Sequence, residues 1–170
     1  MDTFFEQIIK INKNGKSLAG VLGIWFLALV LAFVVFLFSG YLGAFFVLII
    51  AGIIYGAYKL SSLFNIEYEY IITNGSMDVD KIVNKSSRKR VLSFELPNVT
   101  RLEKYTPNIL NSVNIKEVVF ACNQNDDNAY LMVADKEGGK ASYLVFSPND
   151  KIKSAIIKFV PKFISNTAFK

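Results

Sequence analysis

The sequence has no histidine and only one cysteine, and these two absences remove most catalytic chemistry. Without histidine there is no imidazole for general acid–base catalysis, for activating a serine or cysteine nucleophile, or for binding a metal ion. A single cysteine, Cys122, supplies neither an internal disulfide nor a thiolate cluster, which fits a reducing compartment. No glycine-rich phosphate loop precedes a helix. The sequence therefore predicts a protein that is not an enzyme and that uses no cofactor and no metal.

Paired carboxylates are the remaining candidates for chemistry. The pairs are Glu67 with Glu69, Asp78 with Asp80, and Asp126 with Asp127. The first two pairs occupy alternate positions of predicted strands, where one face points to water. The third pair lies in a polar loop that lacks the spacing and final glutamate of a calcium loop. We interpret the first two pairs as solvated strand faces and the third as an ordinary turn.

Charge is also absent, from Ser17 to Tyr58. A Ser39-Gly40 break divides this run into two apolar stretches, residues 18–38 and 41–58, which as helices rise roughly 31 and 27 Å. Both lengths match a hydrocarbon core of about 30 Å. One alternative is a buried core helix of a soluble domain, but such helices rarely exceed about 20 residues without a charge or an amphipathic face. The other is a cleaved signal peptide, but the first stretch is longer than a signal sequence needs and a second stretch follows at once. We predict an uncleaved transmembrane hairpin over residues 18–59.

The flanking charges predict the orientation of this hairpin. Lys10, Lys13 and Lys16 precede the first stretch, Lys59 follows the second, and the connecting turn carries no charge. By the positive-inside rule both termini are cytoplasmic. Residues 1–17 are then a cytoplasmic N-terminal segment of a multi-pass plasma-membrane protein.

Small residues recur at a spacing of four within both stretches. Ala19 precedes Gly23, and Gly52 precedes Gly56. Such spacing lets helix backbones approach closely. We expect these residues to pack the two helices of one hairpin, and formation of a homo-oligomer is the alternative.

Residues 65–170 predict one small β-rich domain. Alternating apolar residues such as Tyr68 and Tyr70 end at Asn74-Gly75, the strongest short hairpin signal. A second strand contains Val79, and a turn at residues 84–87 leads to a third that contains Phe94. Further strands are predicted at residues 115–121, with residues 130–134 as partner, and at 143–146 after a Gly138-Gly139 turn. The total is about six or seven antiparallel strands.

The last predicted element is an amphipathic helix. Ser147 is the expected cap, Pro148 suits the first position, and Pro161 ends the helix. One face is apolar, and its residues are Ile152, Ala155, Ile156, Phe159 and Val160. We expect this face to pack on the sheet, and a helix on the membrane surface is the alternative. The fold class is thus an α+β membrane protein.

Three segments of this domain carry a family resemblance. Residues 69–79 (EYIITNGSMDV), 88–92 (RKRVL) and 98–103 (NVTRLE) resemble bacterial pleckstrin-homology-like (PH-like) domains, which often follow a pair of transmembrane helices. The resemblance implies an antiparallel β-barrel with a C-terminal helix, held at the cytoplasmic face of the membrane. For most such families it implies no established activity.

A basic cluster is the most function-like feature of the domain. Its members are Lys81, Lys85, Arg88, Lys89 and Arg90. Each basic side chain near an anionic leaflet contributes about 1 kcal/mol of attraction. The phosphoinositide cradle of eukaryotic relatives lies at the first hairpin, which here is the bare Asn74-Gly75 turn. The alternative is a solvated edge strand whose charges prevent aggregation.

Two functions follow from these features. The first is a membrane-anchored scaffold whose PH-like domain recruits a protein or peptide partner, for example by strand addition at a sheet edge. The second is sensing of anionic membrane lipids through residues 81–90. Nucleic acid is disfavoured because the lysines are scattered and not interleaved with aromatic residues. A channel or membrane enzyme would need ionisable groups within the spans, and there are none.

Overall fold

The computed structural model of the chain describes residues 3–112, 117–135 and 141–169, which form an α+β structure. The elements in chain order are β1 (Phe4–Lys10), α1 (Gly15–Leu37), α2 (Ser39–Leu42), α3 (Phe45–Ser62), β2 (Ile66–Thr73), β3 (Ser76–Val83), β4 (Ser87–Glu95), β5 (Val99–Lys104), β6 (Val118–Phe120), β7 (Tyr130–Asp135), β8 (Ala141–Phe146), α4 (Asp150–Phe159) and α5 (Lys162–Ser165). Short 3₁₀ helices lie at Leu96–Asn98 and Pro107–Ser112.

The chain divides into two compact units, and the first is helical, built from Asn12–Ile66 with Val83–Ser86. The Asn14 side chain caps α1 by accepting a hydrogen bond from the Ser17 amide at 2.9 Å. Helices α1 and α3 are each long and apolar enough to cross a membrane, with mean hydropathies of 2.8 and 1.7. Gly43, at φ +52°, takes a backbone conformation that favours glycine and lets the chain turn into α3.

Helices α1 and α3 pack against each other. The buried small residues of these two helices are Ala28 in α1 and Ala57 and Ser62 in α3. A side chain on Gly20 would meet the Phe64 ring at 2.8 Å, so this glycine allows a close approach. By contrast, a side chain on Gly23, Gly52 or Gly56 would meet nothing within 4 Å.

These three glycines were expected at the packed surface of the hairpin. In the structure the three glycines have no such close neighbour, and the buried positions of the two helices are Ala28, Ala57 and Ser62. Ala19 is likewise exposed on α1. The correction has a physical cause, since the spacing of four fixes a helix face but does not say which face meets the neighbour.

The second unit contains both sheets, and the first sheet has the strand order β1-β2-β3-β4. Strand β1 pairs with β2 in antiparallel register from Phe4 opposite Thr73 to Lys10 opposite Glu67. No strand was predicted at residues 4–10, which were assigned to an N-terminal segment outside the domain. The helical unit therefore interrupts a sheet that begins before it and continues after it.

Two tight turns organise this sheet. Asn74 and Gly75 lie at φ 49° and 93°, as a two-residue hairpin turn with positive φ at both positions requires. The predicted hairpin is confirmed. A side chain on Gly75 would also meet the Phe159 ring at 3.2 Å. The turn between β3 and β4, also predicted, places Asn84 and Lys85 at φ 52° and 56°.

The second sheet has the order β5-β7-β8-β6. Strand β6 pairs with β8, and the pairing is parallel. The prediction that residues 115–121 pair with 130–134 in an antiparallel hairpin is wrong. Nine residues, 121–129, connect β6 to β7 and cross the sheet, so these consecutive strands are not neighbours. The start of the predicted strand, residues 115–116, and the predicted Gly138-Gly139 turn lie outside the described residues.

One core joins the two sheets and α4. Tyr70 and Met77 from the first sheet, Met132 and Phe146 from the second, and Ile156 from α4 are all buried in one cluster. The prediction that the apolar face of the C-terminal helix packs on the sheets is confirmed.

The ends of α4 agree only in part with the prediction. Its cap is Asn149, whose side chain accepts from the Ile152 amide at 2.9 Å, and not Ser147. Ser147 instead lies buried beside the core, where its main chain is engaged by Tyr70 and Gln7. The helix ends at Phe159, before Pro161, as predicted.

Candidate functional site

The two arginines of the basic cluster form salt bridges with carboxylates. Arg88 on β4 meets Glu69 on β2 through both nitrogens of its fork, at 2.9 and 3.0 Å. The Arg88 side chain is half exposed, whereas that of Glu69 is only 1% exposed. Glu69 was interpreted as a solvated residue, and this was wrong because the arginine lies over it.

Arg90 repeats this arrangement with the second carboxylate pair. Its guanidinium contacts Asp78 at 3.0 Å and Asp80 at 3.1 Å. Asp80 is buried and Asp78 is half-buried. A buried carboxylate needs a cation to offset its lost hydration, and each arginine supplies one.

Three lysines of the cluster remain. Lys85 lies at the β3–β4 turn and Lys89 on β4, both exposed, while Lys81 on β3 is half-buried. Among the described residues no ion pair involves these lysines. Strand β4 is at an edge of its sheet, where exposed charges oppose edge-to-edge aggregation. Of the five basic residues, the two arginines are thus already paired, and the three lysines form no ion pair among the described residues.

A second carboxyl group influences Glu69. Burial raises the pKa of Glu69, and a hydrogen bond with the Glu6 carboxyl raises it further, against the lowering effect of Arg88. Glu6 lies on β1, opposite Ile71 and therefore diagonal to Glu69. The first sheet thus brings together acidic groups that are far apart in sequence.

A cavity that no sequence pattern indicated lies in the second unit, at one end of the second sheet. Its volume is about 650 Å³, within the usual range for ligand sites. It is lined by Lys104, Tyr105, Thr106, Pro107, Phe120, Cys122, Asn123, Gln124, Asn125, Asp126, Asp127, Ala129 and Val145.

Strand ends and one loop build this cavity. Tyr105, just past β5, donates its amide to the Ala129 carbonyl at 2.9 Å. Its ring meets that of Phe120, at the end of β6, edge to face with centroids 6.2 Å apart. The loop over residues 121–129 is shaped by Asn125 at φ 64° and by the Asp126 carboxylate, which accepts from the Asn128 amide at 2.9 Å.

The only cysteine of the chain lies in this cavity. Burial raises the pKa of the Cys122 thiol to about 11, and the negative charge of Asp126 adds to the shift. Because the thiolate is the nucleophile, a thiol with so high a pKa is unreactive near neutral pH. Cys122 therefore suits a wall position and not a catalytic one.

A buried tyrosine ties this end of the second sheet to the first. The Tyr70 hydroxyl donates to the Ala121 carbonyl at 2.5 Å and accepts from the Ser147 amide at 3.3 Å. Burial raises the pKa of Tyr70 strongly. The loop that covers the cavity is thus anchored at Ala121, its first residue.

Sequence reasoning missed this cavity for a clear reason. Tyr105 and Phe120 belong to strand ends that are not consecutive in the sheet, and residues 123–128 look like an ordinary polar turn. A contact prediction that paired Tyr105 with Ala129 would have been the signal needed.

Two four-stranded sheets and a C-terminal helix around one core are consistent with an α+β domain of the PH-like class. The chain matches the family described as "Bacterial PH-like domain (DUF6106)" over residues 1–166, and it belongs to that family. The resemblance inferred from the sequence is therefore confirmed. No curated protein and no solved structure matches the chain.

Proposed function

We propose that this protein is a membrane-anchored, non-enzymatic binding module whose PH-like domain recruits a protein or peptide partner at the cytoplasmic face of the plasma membrane. The observation that supports the proposed membrane topology is the pairing of β1 with β2. Residues on either side of the apolar helices lie in one sheet, with Lys10 opposite Glu67. Both ends of the helical hairpin are therefore on the same side of any membrane that α1 and α3 cross.

Charge supports the cytoplasmic side. Lys13 and Lys16 flank the start of α1 and Lys59 lies in the last turn of α3, whereas the Ser39-Gly40 turn is uncharged. This asymmetry follows the positive-inside rule. In this orientation the PH-like domain is on the cytoplasmic side of the membrane.

Cysteine labelling in sealed membranes tests this topology. In a Cys122→Ser background, a Ser39→Cys variant should react with an impermeant maleimide from outside, and a Lys151→Cys variant only after permeabilisation. Labelling of Lys151→Cys in sealed cells would contradict the cytoplasmic placement.

The partner-binding part of the proposal is supported by the edge of the second sheet. Strand β6 pairs with β8 on one side, and among the described residues it has no strand on the other. An extended peptide can add to such an edge through main-chain hydrogen bonds. Phe120, at the end of β6, also lines the cavity, so a peptide on this edge has side-chain space beside it.

Site-specific crosslinking tests partner recruitment. A photoreactive phenylalanine analogue is placed at Phe120, which is 39% exposed, or at Phe163 on α5, which is 66% exposed, in the full chain in native membranes. We expect one abundant adduct from position 120 and none from the control position 163. Equal or absent crosslinking from the two positions would contradict the proposal.

The alternative function is sensing of anionic lipid, and the observation that favours it is the exposure of Lys85 and Lys89. It is tested by co-purification of phosphatidylglycerol with the chain in mild detergent. A Lys81→Gln/Lys85→Gln/Lys89→Gln variant should lose that lipid, and a Lys151→Gln/Lys162→Gln control should keep it. The arginines are left intact, because their removal would uncover Glu69 and Asp80.

A further inference from the structure

We propose that the cavity at the end of the second sheet receives an arginine or lysine side chain of a partner polypeptide that pairs along β6. The inference rests on the proposed function and specifies the partner's chemistry. The residues that line the cavity and the adjoining edge strand β6 belong to the same unit of the chain.

The charge of the cavity selects a cation. Two carboxylates, Asp126 and Asp127, line it against one ammonium group, that of Lys104. This local excess of negative charge occurs in a chain with a formal net charge of +5. Asp126 is half-buried, and its charge is felt by the Cys122 thiol, whose pKa it raises. A positive group entering the cavity would meet the same field with the opposite, favourable sign.

The walls suit the rest of such a side chain. Tyr105 and Phe120 offer aromatic surface, which attracts a cation over a ring face and also packs against aliphatic stems. Gln124 places an amide group among the lining residues, where its oxygen can accept from ammonium or guanidinium donors. An anionic side chain would be repelled by the two carboxylates, and a purely apolar one would gain nothing from their charge.

The open edge of β6 favours a polypeptide over a free amine. Phe120 is both the last residue of β6 and a wall of the cavity. A strand added to β6 presents alternate side chains on one face, so one of them can be directed to this end of the sheet. The strand contributes affinity and the cavity contributes selectivity.

The test uses the full chain in nanodiscs of uncharged lipid. The probes are four pools of short fluorescent peptides with randomised flanks and a fixed central arginine, lysine, citrulline or glutamate. Citrulline matches arginine in shape without its charge. We expect the arginine and lysine pools to bind at least about tenfold more tightly than the citrulline and glutamate pools.

Variants assign the effect to the cavity. Asp126→Asn/Asp127→Asn should reduce the preference for arginine over citrulline at least about tenfold. Asparagine retains an oxygen at position 126 for the Asn128 amide, so the turn is kept. The matched control is Asp135→Asn, an exposed carboxylate on β7 that does not line the cavity, and it should leave the preference unchanged.

The outcomes separate this inference from the proposed function. Equal binding of all four pools, abolished by a Val118→Pro change that removes an amide facing the open edge of β6, would overturn the cavity assignment and support the proposed function. If the free amide of arginine bound as tightly as the arginine pool, the claim that the occupant belongs to a polypeptide paired along β6 would be wrong. Binding by no pool would also overturn the inference, and the crosslinking from position 120 would then decide the proposed function alone.

Discussion

The hydroxyl of Tyr70 lies 2.5 Å from the carbonyl oxygen of Ala121, and the bond between them joins the first sheet to the loop over the cavity. Both residues are buried, so neither group can turn to water instead. Tyr70 is therefore a polar link between the first sheet and this loop.

Replacing this tyrosine should destabilise the domain. A Tyr70→Phe change leaves the Ala121 carbonyl without a donor and should lower the free energy of unfolding by about 1–3 kcal/mol. Tyr143→Phe is the control, since no described residue bonds to that hydroxyl. Denaturant titration of the full chain in detergent measures both. Equal stability of the two variants would contradict the linking role.

Gln7 should stabilise the start of α4 from a different strand. Its amide accepts from the Asn149 amide at 2.8 Å and donates to the Ser147 carbonyl at 2.9 Å. We expect Gln7→Ala to cost about 1–2 kcal/mol of stability, since two hydrogen bonds are lost. Glu95→Ala, at an exposed position on β4, should cost almost nothing. Thermal unfolding with matched protein and detergent concentrations compares the two.

Replacing Lys85 by glycine should stabilise the domain. Its φ of 56° lies in the left-handed region, where a residue with a side chain is strained and glycine is not. Lys85→Gly should raise stability by about 0.5–1 kcal/mol. Lys89→Gly removes the same charge from a strand and should lower stability. A loss in both variants would show that the Lys85 side chain contributes more than its strain costs.

Glu69 should give the stability of the domain a specific pH dependence. Its pKa is raised from the ordinary 4.5, so over the window above 4.5 the folded chain holds a proton that the unfolded chain has lost. The free energy of unfolding therefore falls as pH rises through that window. Glu6→Gln should lower the pKa of Glu69 and so narrow the pH range over which stability falls. Glu95→Gln, the control, should change neither the pKa nor this range. Titration of the Glu69 carboxyl carbon by NMR measures the shift directly.

Alkylation of Cys122 should be slow at neutral pH and should accelerate over an unusual range. With a thiol pKa of about 11, the rate with iodoacetamide should rise roughly tenfold per pH unit from 8 to 10 without levelling off. In chain unfolded by denaturant the rate should level off near the ordinary cysteine pKa of 9.0. A plateau below pH 9 in the folded chain would show that the thiol is not buried as described.

Local signals predicted the parts of the fold that depend on neighbouring residues. Asn74-Gly75 specifies its turn by backbone chemistry alone, and the apolar period of α4 specifies its buried face. Strand β1 carried no such signal, since its partner lies beyond two apolar helices. The parallel pairing of β6 with β8 was hidden in the same way.

The candidate sites show the same limit. Five basic residues could be read from the sequence, but the pairing of Arg88 with Glu69 depends on which strands become neighbours. The cavity forms only because the ends of four strands meet at one end of the second sheet. Patterns of residue type identify charges and turns, whereas neighbours across a sheet are set by packing of the whole domain.

The register of β1 against β2 also imposes an order on biosynthesis. The ribosome completes Phe4–Lys10 before either apolar helix exists, and the complementary strand emerges only after both are made. Such a non-local ladder cannot close early, and in the proposed membrane topology it closes only after both helices have entered the bilayer. In a chain with only one helix inserted, β1 and β2 would lie on opposite sides of the membrane and could not pair. In that topology, the first sheet can be completed only in a chain whose two helices have both been inserted.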